Sequence, residues 1–420
     1  MTRSAKIESI RFSGEEHRGA KRYWLGTQRS IAPEETLERI RPCFPTAGIT
    51  RLANITGLDR VGIPVTLAIR PNGKTLSNST GKGFTMEAAM ASGAMEAIEL
   101  FHAEECVLPS FRLPYKELSQ DYGHVAVEDL QLIKHAPFSE NWPYLWSLGW
   151  DLVSQGKVAV PVSLINMGMG SENIHELFSF QITSNGLASG NTFLEALNAA
   201  LFEVIERDAV TCHKVRWDQT GKPPPVVAQD TIEHPLVRQL LDRLTNVGMG
   251  AIIFDCTTDT DVPVYMAFLV DKVWRNIGVF KGYGSHLDPE VAMIRALTEA
   301  VQGRAVYIAG SRDDFFRHNE VRLHHDVNEY AAQRLLTDFV PSVNGGERTS
   351  EATPTFEGDT LLAVQKLIRA GLDRVIVFDL SRPDFPIHVV KVVVPGLEGY
   401  MFDFYTPGRR ARVFSNGEES

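Results

Sequence analysis

The chain has 420 residues, 44% of them hydrophobic and 22% charged, and its 52 Asp and Glu against 42 Lys and Arg give a formal charge of −10. Such values exclude a disordered, collagen-like or disulfide-scaffold protein, and the acidic excess argues against a chain that coats nucleic acid, since that needs a basic face to displace counterions. At about 150 residues per domain the length allows two or three domains or one large α/β unit.

Charges run through residues 1–25, where a signal peptide needs an apolar stretch, and no apolar run is long enough to span a bilayer. The expectation is a cytoplasmic protein with no membrane and no nucleic-acid partner. Cys43, Cys106, Cys212 and Cys256 stand too far apart for a CxxC pair, so reduced thiols are expected rather than a zinc or redox motif.

In chain order the pattern predicts one unit three times, each a strand, a second strand, a glycine turn and a helix. The first begins with a strand over 63–69, turns at Pro71-Asn72-Gly73, returns through a polar segment to Gly81-Lys82-Gly83, and enters a helix over 86–103 behind Thr85. In the second, a strand over 160–165 and glycines at Gly186 and Gly190 lead to a helix over 193–210 behind Thr192. The third has a strand over 262–270, Gly282 and Gly284, and a helix over 290–309 behind Asp288-Pro289. Residues 341–354, rich in Pro, Gly and Ser, read as a mobile surface loop. A helix over 358–370 and strands over 373–379 and 385–394 close the body, and the basic tail 406–420 is expected to lie solvated on the surface or to meet a partner. One helix per unit is too little to cover its strands, so a single α/β domain fits better than three modules.

Superposing the caps aligns the helices without gaps. Ala88, Ser92, Glu96 and Glu99 then match Glu195, Ala199, Glu203 and Glu206, and Val291, Arg295, Glu299 and Gln302. Steps of four, four and three keep each set on one helix face. A lone Glu in an Ala-rich helix ordinarily faces water, but the same stripe in three helices points to a shared site. If the helices pack together, Glu96, Glu99, Glu195, Glu203, Glu206 and Glu299 converge, and carboxylates so close either take up protons or need cations. Carboxylates without His or Cys are hard oxygen ligands suited to Mg²⁺, which reaches its substrate through phosphate oxygens, and Arg207 and Arg304 just past the stripe suit phosphate. The glycine segments fit neither a P-loop nor a dinucleotide fingerprint and read as turns leading into the helices.

These residues make the sequence resemble the YcaO family over nearly its whole length. The motifs that carry the likeness are Asp59-Arg60-Val61-Gly62-Ile63-Pro64-Val65, Ser79-Thr80-Gly81-Lys82-Gly83 with Ser92, Glu96 and Glu99, and Ser184-Asn185-Gly186-Leu187-Ala188-Ser189-Gly190 with Glu203, Glu206, Arg207 and Asp208. Gly282-Tyr283-Gly284-Ser285-His286 with Glu299, Gln302 and Arg304, and Val394-Pro395-Gly396-Leu397-Glu398, complete the set.

The resemblance implies one YcaO-type α/β domain built from strand-strand-helix pseudo-repeats around a nucleotide site. It divides the chain into an N-terminal segment 1–55 that contributes to that site, a catalytic domain 56–405 and a tail 406–420. It further implies ATP and Mg²⁺ as cofactors, with Glu99, Glu195, Glu203 and Glu206 holding metal. Nucleotide would be held by Lys21, Ser92, Glu96, Ser184, Arg207, Gln302 and Arg304, with Glu203, Arg207 and Arg304 carrying the catalytic step. The implied activity is phosphorylation of a peptide backbone amide oxygen by ATP, after which a nucleophile displaces phosphate.

Within the family the opening, with Pro33-Glu34-Glu35-Thr36-Leu37-Glu38-Arg39-Ile40 and Leu58-Asp59-Arg60, resembles the TfuA-associated branch. An ending in Glu418-Glu419-Ser420, in place of the Pro-rich tail of azoline formers, leads to the same expectation. The product expected is a peptide thioamide, made with a TfuA-like sulfur-delivery partner by a homodimer. Azoline or amidine formation, or a nucleotide-binding accessory role beside a sulfur-inserting enzyme, are the alternatives.

Overall fold

In the first unit, β1 (Arg51–Asn54), β2 (Val65–Ile69) and β3 (Asn78–Lys82) form an antiparallel meander and lead into helix α1 (Met86–Glu105). This is a computed structural model, and it describes residues 7–130, 132–168, 179–311, 325–400 and 405–417. The second unit contributes β4 (Pro143–Asp151), β5 (Gly156–Pro161), β6 (Leu187–Gly190) and helix α2 (Phe193–Thr220). The third repeats the first: β7 (Met249–Asp255), β8 (Val264–Asp271) and β9 (Val279–Ser285) make an antiparallel meander ahead of helix α3 (Pro289–Ala309). Helix α4 (Phe356–Arg369), strands β10 (Ile376–Asp379) and β11 (His388–Val393), and helix α5 (Arg409–Asn416) complete the body.

All three repeat helices start as predicted. Thr85 and Thr192 accept a backbone N–H three residues on, and Asp288 accepts that of Glu290, each satisfying a donor that the first helical turn leaves open.

The second unit departs from the pattern. The strand expected over 160–165 ends at Pro161 and gives way to a 3₁₀ turn, Val162–Leu164. Strand β6 pairs not with β5 but antiparallel with β11, from the far end of the chain, in a sheet of order β6-β11-β10-β4-β5. Strand β11 carries Val on both faces and lies between two hydrophobic cores: Val390 and Val392 belong to one, Val389 to the other. Only an interior position satisfies a strand apolar on both sides.

Of the glycines expected in turns, Gly186 is in one, with φ of 78°, but four others lie in strands. Gly81, Gly190, Gly282 and Gly284 sit inside β3, β6 and β9, where the helix that follows folds back onto the strand. A Cβ at Gly81 would stand 2.0 Å from the Ala89 carbonyl oxygen, and one at Gly284 2.0 Å from that of Ala292. These two positions are equivalent in the superposition, so bare backbone is what lets strand and helix touch. Gly284→Ala is expected to destabilise the protein by about 3 kcal/mol, the upper range for overpacking against atoms that cannot move. A fall in urea midpoint, or loss of soluble protein, checks this; an unchanged midpoint refutes it.

The repeats interlock through these strands. Helix α1 packs on β3 and also on β6, α2 on β6 and also on β9, and α3 on β9 and also on β3. Each helix is therefore held between its own strand and that of the next unit, and the third returns to the first, closing a ring. Strands thus carry much of the contact between the repeat helices, and the stripes meet across them as well as directly, as where Arg295 of α3 lies 4.0 Å from Glu206 of α2.

Two further segments differ from expectation. In 341–354, Val343–Asn344 pairs in parallel with Val227–Ala228, and Thr353 donates its N–H and hydroxyl to Asp359 at 2.6 and 2.9 Å, so the segment is anchored. The basic tail docks as α5 against α2. Arg410 donates to both oxygens of the fully buried Asp208, at 3.0 and 2.9 Å, and pairs with Asp259. Glu398 caps the first turn of α5, accepting from Gly408 at 2.9 Å and Ala411 at 2.8 Å. A buried aspartate needs such a partner, since the charge alone would be costly to desolvate. Among the described residues no helix is long and apolar enough to cross a membrane.

Candidate functional site

The ring places the stripe residues at its joints. Counting from the caps, Glu99, Glu206 and Gln302 are equivalent, as are Thr80 and Tyr283; Ser189 stands two positions nearer its cap but, like them, precedes a strand glycine. Glu99 on α1 accepts from the N–H of Ser189 at 2.8 Å and from its hydroxyl at 2.6 Å, on β6 of the next unit. Gln302 on α3 donates to the Thr80 hydroxyl at 2.5 Å, on β3 of the first unit. On α2 the joint to β9 is made by Arg207, its guanidinium 5.6 Å from the centre of the Tyr283 ring. Every joint is thus built from two units.

The six carboxylates do not gather into one cluster. Among the described residues no three His, Cys, Asp or Glu side chains come close enough together to hold a metal ion. Four of them turn instead to donors of their own, which keeps like charges apart in a dry site. Glu99 goes to Ser189. Glu195 accepts from the Ser30 hydroxyl at 2.5 Å and lies 3.8 Å from Arg29. Glu206 has Arg207 at 3.9 Å and Arg295 at 4.0 Å, and Glu299 has Lys82 at 3.0 Å.

Electrostatics separate them further. Burial pushes the Glu99 carboxyl up to about 8, with Glu96 and Glu203 adding to the shift and Ser189 opposing it. Burial likewise raises Glu206 to about 7, against the pull of Arg207, and raises Glu203 against Arg207 and Lys391. Glu299 goes the other way: burial works to raise it, but Lys82 and Arg207 hold it below the ordinary carboxylate range. The Arg207 charge, opposed by burial, is held on by Glu206, Glu203 and Glu299 together.

This donor set fits Mg²⁺. Glu206 Oε2 is buried without a hydrogen-bond partner, an oxygen lone pair that a cation would satisfy, and the raised carboxyls are groups whose charged form lacks compensation. An anion has a place beside it. A cleft between residues 27–29 and helices α2 and α3 is lined by Arg29, Arg295, Asn198, Ser285 and His286, with Glu195 and Asp359, paired to Arg29 and Lys21, also on its wall. The buried Ser285 hydroxyl has no partner there and can donate to an anion.

Other expected residues fall differently. Ser92 and Glu96 are half-buried on the same face of α1 as Glu99, and Ser184 is exposed in the turn before β6. Two expected nucleotide contacts are committed elsewhere. Arg304 is fully buried, donating to Asp59 Oδ2 at 2.8 Å and pairing with Asp271 at 3.0 Å. All three ammonium hydrogens of Lys21 have acceptors, in Asp359, Gln28 Oε1 and the Thr353 carbonyl. The reason is the same in both cases, a cation brought into the interior together with its counterions.

The sequence assigns no role to Ser30, Ser189, Lys82 and Lys391, and it places Arg295 on the stripe without one. Ser189 and Lys82 were within reach, since each stands beside a strand glycine of a repeat. Ser30 and Lys391 had no local signal: Lys391 comes from the last strand and donates to the Thr183 carbonyl at 2.6 Å, next to Ser184.

Comparisons with known proteins bear on the fold and the family. An uncharacterized protein in the tfuA 3′ region of Rhizobium leguminosarum bv. trifolii is 33% identical over 93% of this chain and 94% of its own length. Among solved structures, a heterocyclase in complex with substrate and cofactor matches with a TM-score of 0.78 at 22% identity. That match takes in 99% of this chain, which spans 58% of the heterocyclase. The YcaO protein of Methanopyrus kandleri, bound with AMPPCP and Mg²⁺, matches with a TM-score of 0.66 at 24% identity, over 92% of this chain and 99% of that one. The family model described as YcaO cyclodehydratase, ATP- and Mg²⁺-binding, matches residues 80–398. The chain therefore belongs to the YcaO family of ATP-dependent peptide-modifying enzymes, with ATP and Mg²⁺ as its cofactors.

Proposed function

We propose that the protein activates a peptide backbone amide with ATP and hands the activated carbonyl to a sulfur nucleophile, making a thioamide. The observation that carries the amide-activating part is the joint on α2. There Glu203, Glu206 and the Arg207 guanidinium sit together, largely removed from water, beside a cleft flanked by Arg29 and Arg295. Phosphoryl transfer asks for this kind of positioned charge and for no covalent nucleophile on the protein.

An amide oxygen is a poor leaving group and a peptide carbonyl a weak electrophile. Transfer of the γ-phosphoryl group to that oxygen forms a C–O–P linkage and releases ADP. Hydrosulfide then adds at carbon, the C–O bond breaks, and phosphate departs with the oxygen. In this reading Glu99, Glu203 and Glu206, which do not meet in the metal-free arrangement, would hold Mg²⁺, and the ion would supply charge neutralisation at the phosphates. Glu195, with Ser30, closes the other wall. Arg207, kept protonated by three carboxylates, binds the transferring phosphoryl group, and Arg29 and Arg295 hold phosphate oxygens in the cleft. Gln302 and Ser92 orient the rest of the nucleotide.

The sulfur assignment is supported by the relative found in a tfuA 3′ region, and a TfuA-like protein is the proposed sulfur-delivering partner. Mass spectrometry of a peptide incubated with the protein, Mg-ATP, sulfide and that partner tests it. A heavier product, from exchange of oxygen for sulfur, is expected. A product lighter by one water would make the enzyme an azoline former, and no phosphate release above background would remove the enzymatic reading altogether.

A further inference from the structure

At two joints of the ring the stripe residue meets neutral donors or distant arginines; at the third it meets a lysine. Lys82, two residues beyond Thr80 on β3, donates to Glu299 Oε2 and to Gln302 Oε1, each at 3.0 Å. An ammonium has donors and no acceptor, so the atom it binds in Gln302 must be the oxygen. That choice fixes the amide. Its nitrogen turns to Thr80, spends one hydrogen on the hydroxyl at 2.5 Å, and keeps the second for a ligand. Without Lys82, Gln302 could turn over and offer its oxygen instead.

The burial pattern agrees. Gln302 and Thr80 are buried, whereas Lys82 and Glu299 retain 20% and 23% exposure, so the charged pair lies at the rim and locks a neutral amide set deeper. Glu299 is also the stripe carboxylate held below its ordinary pKa, with Lys82 the leading favourable charge.

We propose that Lys82 is a positioning residue which sets the Gln302 side chain with its amide N–H toward the bound nucleotide, so that this joint recognises a hydrogen-bond acceptor. The inference rests on the nucleotide-binding part of the reading above. Its test is calorimetric titration of the full chain with Mg²⁺ and a non-hydrolysable ATP analogue. Lys82→Met is expected to raise Kd at least about tenfold, the loss of one well-made hydrogen bond replaced by a repulsive lone pair. Lys82→Arg, whose fork can still donate to both oxygens, is expected to stay within about threefold of the unsubstituted chain.

If Lys82→Met does not accumulate as folded protein, pairing it with Glu299→Gln removes the bare carboxylate, and the same rise in Kd is expected. The titration with AMP tells where the acceptor lies: an equal loss puts it on the nucleoside end, no loss puts it on the outer phosphates, and both agree with the proposal. A Lys82→Met protein with lowered melting temperature but Kd within twofold of the unsubstituted chain overturns it, leaving the lysine a structural ion pair. Failure of the unsubstituted chain to bind the analogue would overturn the nucleotide reading as well, so the two failures are distinguishable.

Discussion

Glu203→Gln is expected to lower ATP turnover about a thousandfold or more while leaving the protein at least as stable as before. Arg207→Ala should match that loss. Arginines that contact a transferring phosphoryl group are worth about 10³ to 10⁵ in rate, roughly 4 to 7 kcal/mol of barrier. A carboxylate that helps fix the cation beside it acts on the same charge. The stability half of the prediction comes from burial. Glu203 is held in an environment that raises its pKa, so its charged form is disfavoured in the folded protein, and a neutral amide of the same shape removes that cost. Phosphate release under single-turnover conditions and a melting curve of each variant supply the two readings. A Glu203→Gln enzyme that turns over ATP within tenfold of the unsubstituted chain would remove Glu203 from the site.

The second large effect is a dependence of stability on pH that Mg²⁺ erases. Glu99 and Glu206 are raised from 4.5 to about 8 and about 7, so the folded protein binds these protons more tightly than the unfolded chain does. Their contribution to stability is complete below about pH 4.5 and is lost as the pH climbs through about 7 to 8. Each unit of such a shift corresponds to about 1.4 kcal/mol before solvent screening, so the metal-free protein should lose a few kcal/mol across that window. Mg²⁺ binds the ionised carboxylates of the folded state only, and its stabilisation therefore grows as they ionise. The rise in melting temperature on adding Mg²⁺ is expected to be larger at about pH 8.5 than at about pH 6. An equal rise at both would mean that the metal does not use these carboxylates.

What the sequence makes legible is local. Thr85, Thr192 and Asp288 announce their helices, and because the helices are regular, a cap fixes the face on which every later residue falls. That is why Glu99, Glu206 and Gln302 can be matched from the alphabet alone. Pairing between distant segments is not local, and there the reading fails. Nothing near Leu187 says that its strand will lie against Lys391, and nothing near Asp208 announces Arg410. At Gly81 and Gly284 a turn reading fails for a related reason. Gly81 and Gly284 are required by the backbone of a neighbouring helix, a demand that turn statistics around the glycine do not contain. Arg304 and Lys21 show the limit of reasoning by residue type, since a cation beside a phosphate site and a cation neutralising buried Asp59 or Asp359 look alike in sequence.

The closed ring also has a temporal consequence. Gln302 and Thr80, which seal it, are 222 residues apart along the chain, so their meeting demands the closure of a very long loop and gains little until the intervening units are in place. The site should therefore be among the last parts of the protein to form and the first to come apart. A nucleotide that spans two units would act as a clasp, slowing the opening of the ring as well as entering the reaction. In a cell short of ATP the protein would then be lost to proteolysis sooner, and its abundance would follow the supply of its own co-substrate.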